Sequence, residues 1–106
     1  MRHALLLALC LSGFLAPAAG ADELDDFTTG MADLLAGESY CGLSYDQDAL
    51  AALIASKVPA DDMGWTQMLA GIKFLSGERL KRFTPSEKTV HCTQLNRLAQ
   101  SFGLVH

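Results

Sequence analysis

The chain has 106 residues, eight Lys and Arg against twelve Asp and Glu, a formal net charge of −4, and three cysteines. That length leaves no room for a multidomain assembly. The acidic balance argues against a nucleic-acid binder, whose footprint would be basic.

The first twenty-one residues, MRHALLLALCLSGFLAPAAGA, read differently from the rest. Arg2 and His3 form a short basic start, an apolar run follows from Ala4 to Leu15, and Pro17 breaks it. This order and length are those of a secretory signal peptide, with Ala19-Gly20-Ala21 as the cleavage signal and Asp22 as the expected mature start. A retained membrane anchor would need roughly 20 apolar residues, more than this run supplies. Leu9 stands before Cys10 where a lipid-modified cysteine would have a small residue. Residues 22–106 are expected to form one small domain, exported to the periplasm or secreted.

The remaining elements read as four helices, an all-α bundle. From Asp22 to Ala36, Leu24, Phe27, Met31, Leu34 and Leu35 recur at intervals of three and four, with carboxylates in the first turn and Gly37 as the expected stop. Ser44 and Gln47 suggest a capping box for a second helix from Tyr45 to about Lys57, with Ala49, Leu50, Leu53 and Ile54 inward and Pro59 at its end. Asp61 or Asp62 is the expected cap of a third helix whose core residues would be Trp65, Met68, Leu69, Ile72 and Leu75. Gly77 is expected to end or bend it, leaving Leu80 and Phe83 in a short turn. The last helix opens on Thr84, Pro85, Ser86 and Glu87, a capping box with proline at the first helical position. Leu95, Leu98, Ala99 and Phe102 then share a face, and Gly103 closes it.

Without the leader two cysteines remain, Cys41 and Cys92. In an oxidising compartment such a pair is expected to form a disulfide. Closing a loop of about 50 residues stabilises by about 4 kcal/mol in the chain-entropy account. Cys92 shares the inward face of the last helix with Leu95, Ala99 and Phe102, so the bridge would pin the first interhelix turn to the core.

His91 beside Cys92 does not make a catalytic pair, because neighbouring helical side chains point about 100° apart. A zinc site would need three or four ligands, and beyond Cys41, Cys92 and His91 only His106 is on offer. No C-x-x-C, serine triad order or phosphate-cradling glycine loop is present. The expectation is therefore of no catalytic residue, no metal, no cofactor and no enzymatic activity.

Charge is uneven along the chain. Residues 22–62 carry ten acids and one base, whereas residues 63–106 carry six bases and two acids. One reading is solvated helix faces that interleave once folded. The other is a contact surface centred on GERLKRF, residues 77–83, in which Arg79, Lys81 and Arg82 would meet an acidic protein or an anionic surface. Trp65, Phe74 and Phe83 are read as core rather than a ligand cage.

A signal peptide, about 85 further residues, short helices and a long-loop bridge between Cys41 and Cys92 resemble the layout of the HdeA-type periplasmic acid-stress chaperones. That resemblance implies a dimer that loosens in acid and an apolar surface that holds unfolding clients; it carries over no binding residue. The acid-rich half fits such a response, since carboxylates as a class titrate near pH 4. The expected function is thus an exported, non-enzymatic binding or protective protein, with a protein partner and a homodimer in view. The alternative is a secreted inhibitor or immunity protein that docks on a toxin or hydrolase, a role suited to a rigid small domain.

Overall fold

In the computed structural model, which describes residues 19–106, four helices follow one another: α1 (Ala19–Tyr40), α2 (Gln47–Lys57), α3 (Trp65–Leu80) and α4 (Pro85–Ser101). No strand occurs among the described residues. The reading of the leader falls largely outside them, and Ala19 to Ala21 stand at the start of α1. The core is built from Met31, Ala32 and Leu34 of α1, Trp65 and Leu69 of α3, and Leu95 and Ala99 of α4. Tyr45 and Leu104 close it from the connecting and terminal segments.

Gly37 does not stop α1, which runs on to Tyr40. A Cβ at position 37 would overlap the Leu95 side chain, so the glycine serves the close approach of α1 and α4 rather than a turn. The turn comes at Gly42, with φ of 70°. Gly42 N donates to Ser39 O at 3.2 Å and Leu43 N to Glu38 O at 2.7 Å, the paired bonds of a Schellman motif. The same device ends α4, where Gly103 has φ of 73° and Leu104 N donates to Ala99 O at 2.9 Å.

The Ser44–Gln47 box does not form. Tyr45 is drawn into the core, its hydroxyl donating to Leu34 O at 2.6 Å and its backbone NH to the Glu38 carboxylate at 2.9 Å. Position 45 is therefore committed to core packing, and α2 begins only after it. Its cap is Asp46, whose Oδ1 accepts from Ala49 N at 3.0 Å. Ala49, Leu50, Leu53 and Ile54 pack against the core, yet no residue of α2 is fully buried.

Neither Asp61 nor Asp62 caps α3 through its side chain; the N-cap is Gly64, which makes no side-chain cap bond. Instead the Asp62 carbonyl accepts from Trp65 N at 3.3 Å. Gly77 is passed through without a break, since α3 continues to Leu80. The buried face is Trp65, Leu69, Ser76 and Leu80, not Met68 and Leu75. Trp65 sets this rotation: its indole NH donates to Thr28 Oγ1 at 2.9 Å, and that hydroxyl donates to Leu24 O at 2.7 Å. Burying an indole without such a partner costs about 1–3 kcal/mol.

The α4 capping box forms as read. Glu87 N donates to Thr84 Oγ1 at 3.2 Å and Thr84 N to Glu87 Oε1 at 3.0 Å. These bonds from Thr84 hold the Glu87 carboxyl below its usual range. Cys41 and Cys92 are bonded, with Cα atoms 5.4 Å apart across 51 residues of sequence. The bridge thus joins the end of α1 to α4, beside the Gly37–Leu95 contact.

Candidate functional site

The three cations expected to form a contact patch are exposed, but two are already engaged. Arg79 Nη2 pairs with Asp33 Oδ1 at 3.2 Å, and Ser76 Oγ donates to the same oxygen at 2.9 Å. Arg79 therefore links α3 to α1. Lys81 Nζ pairs with Glu78 Oε1 at 2.9 Å. Among the described residues Arg82 has no ion pair. Charge at this end of α3 is partly neutralised within the molecule, and surface pairs of this kind hold by only about 0–1 kcal/mol.

What the sequence reading missed lies on the same helix. With Trp65, Leu69, Ser76 and Leu80 inward, Met68 (46 % exposed) and Leu75 (67 %) form a second apolar stripe left in solvent, and Phe74, 65 % exposed, points about 100° away from Leu75. Met63, in the turn before α3, is 81 % exposed. Met68, Gly71 and Leu75 recur at intervals of three and four, so they share a side of the helix. Gly71 adds to the opening, since a Cβ there would meet nothing within 4 Å. Adjoining exposed apolar side chains on a folded surface mark contact sites more often than isolated ones do.

Phe74 is thus not core. Phe83 is half-buried, its ring edge-on to His91 at 5.4 Å between centroids. His91 Nε2 is shielded from solvent without a hydrogen-bond partner. No group of three or more His, Cys, Asp or Glu among the described residues is placed to hold a metal ion.

The concavities among the described residues include one of about 510 Å³ lined by Phe83, Val90 and His91. A hollow of about 740 Å³ flanks the disulfide, with Arg97 on its wall and the Lys88 ammonium 4.6 Å from the centre of the Tyr40 ring. A groove of about 630 Å³ lies where α1, the end of α2 and the end of α4 meet, over Phe27 and Phe102. No helix among the described residues is long and apolar enough to cross a membrane. Comparison with protein-family models, with curated proteins and with solved structures finds no match.

Proposed function

We propose that the protein acts outside the cytoplasm as a non-enzymatic binding or protective protein, and that the outer side of α3 is its contact surface. The observation that carries this reading is the solvent-facing stripe of Met68 and Leu75 on a helix whose inner side is fixed by Trp65 on Thr28 and Ser76 on Asp33. The exposure is built into a held element. Flexible methionine side chains adapt to varied apolar partners, as a protective binder of unfolding chains requires.

A second copy suits the same stripe. Asp61 and Asp62 precede α3, Met68 and Leu75 occupy its middle, and Lys81 and Arg82 follow it, all exposed. An antiparallel pairing about the Gly71–Ile72 midpoint sets Met68 against Leu75 along roughly 24 Å of helix, and brings the turn carrying Asp61 and Asp62 near the end that carries Lys81 and Arg82. Acid, apolar and base in this order complement themselves when reversed.

The test is suppression of aggregation of unrelated clients at neutral pH and after a pH drop, comparing the native protein with Met68→Ser/Leu75→Ser. Protection that disappears in the double variant, with its helical signal intact, upholds the reading. Equal protection by both, or none from either, defeats it. One tight partner recovered at neutral pH, without general client protection, marks the inhibitor reading instead.

A further inference from the structure

The groove between α1, α2 and α4 has chemistry that the contact surface on α3 does not use. Its floor is apolar, formed by Leu24 and Phe27 of α1 with Leu98 and Phe102 at the end of α4. Phe27 and Phe102 meet edge-to-face at 6.4 Å, and the other neighbour of Phe27 is Trp65, stacked at 6.2 Å. Glu23 and Asp26 of α1 stand on one rim and Lys57 of α2 on the other. All three are exposed, and none is in an ion pair among the described residues.

Gly30 supplies an independent observation. It lies mid-helix in α1 and lines the groove, and an added Cβ would meet nothing within 4 Å. Neither a turn nor a tight helix contact accounts for it. A glycine here weakens α1 relative to alanine, and what it leaves behind is room in the groove. The α2 wall has no fully buried residue, so it can adjust around an occupant.

We infer that this groove binds a small zwitterionic amphiphile, a substituted ammonium joined to a carboxylate and carrying an apolar tail. Aromatic rings beside carboxylates recognise alkylated ammonium groups through the ring faces and the opposite charge. Lys57 takes the ligand carboxylate across the gap, and Leu24 and Leu98 take the tail. The volume lies within the ordinary range for small-molecule sites, roughly 300–1,000 Å³. A purely anionic amphiphile would meet Glu23 and Asp26 at the rim; a purely cationic one would leave Lys57 without a partner.

The probe is N-dodecyl-N,N-dimethylglycine below its micelle concentration, titrated into the purified protein. Binding is read by calorimetry and by the emission of Trp65, the single tryptophan. Dodecyltrimethylammonium and dodecanoate serve as matched single-charge probes. The expected order of affinity is zwitterion, then cation, then anion, with each step roughly fivefold or more because a rim charge is lost or opposed. Glu23→Gln/Asp26→Asn should weaken the zwitterion roughly fivefold or more and remove the advantage of dodecyltrimethylammonium over dodecanoate, leaving only the Lys57 contact to the ligand carboxylate. Gly30→Leu should abolish binding while leaving the thermal midpoint unchanged or higher, which separates a filled groove from a damaged fold. Dodecanoate binding as well as the zwitterion, no binding at all, or full binding by Gly30→Leu would each overturn the inference. None of these readouts depends on client protection, so the two proposals fail separately.

Discussion

The seam between α1 and α4 and the short helix α2 are held by different means. The seam has a disulfide, a glycine against which Leu95 packs, and fully buried Leu34 and Ala99. α2 has one side-chain cap and a row of half-buried aliphatic residues. Regions with few buried contacts open locally at a fraction of the global unfolding free energy. The molecule is thus a stapled frame of α1, α3 and α4 with a looser α2 laid against it. Amide exchange should show α2 protected well below the middle of α1.

The largest break in this contrast is removal of the staple. Cys41→Ser/Cys92→Ser should lose about 4 kcal/mol of stability in guanidinium unfolding; a domain of this size holds only about 4–13 kcal/mol in total.

Next comes Tyr45, which ties the α1–α2 link to the frame. Its hydroxyl is pushed up to about 12, chiefly by burial and secondarily by the charge of Glu38. The folded state keeps this proton at pH values where the unfolded state has lost it. The stabilisation is therefore full below pH 10 and declines as pH rises toward 12, by about 2–3 kcal/mol in all. Comparison with Tyr45→Phe over that window isolates it; a native curve parallel to the variant's would remove the assignment.

Gly37→Ala tests the closeness of the seam. Helix propensity favours alanine by up to about 1 kcal/mol, but the new methyl must displace a buried Leu95, and overpacking of that kind costs about 1–3 kcal/mol. Net destabilisation by thermal melting is expected, whereas the same exchange at the open Gly71 should stabilise.

The smallest effect sharpens the α2 side. Asp46→Ala removes the cap and should cost about 1 kcal/mol, seen as faster amide exchange confined to the first turn of α2. A uniform increase across all four helices would mean that α2 opens only with the frame.

Much of the frame was legible in the residues. The Thr84–Glu87 box, the closing Gly103 and the Cys41–Cys92 pairing rest on local chemistry or on having no competitor, and all three are present. The failures occur where a tertiary contact outranks a local preference. Ser44 and Gln47 could cap a helix in isolation, but Tyr45 gains more from the core. Gly37 reads as a stop because the sequence does not reveal Leu95 against it.

The candidate surface was the least legible part. α3 carries two apolar stripes at helical spacing, and choosing between them depends on a hydroxyl 37 positions away, Thr28, accepting the indole NH. Ser76 can take an inward position because Asp33, 43 positions away, supplies its acceptor. Arg79, Lys81 and Arg82 were recognised as cations; Glu78 stands three residues before Lys81, the spacing of a helical ion pair, but Asp33, 46 positions from Arg79, could not be assigned from spacing.

Leu104 does more than its place near the last residue suggests. It is 1 % exposed, and its carbonyl accepts the backbone NH of Asp46 at 2.9 Å, so one residue plugs the core and anchors the start of α2. Any expression handle should sit beyond His106 on a spacer. Trimming back to Gly103 would uncork the bundle and cast α2 adrift together.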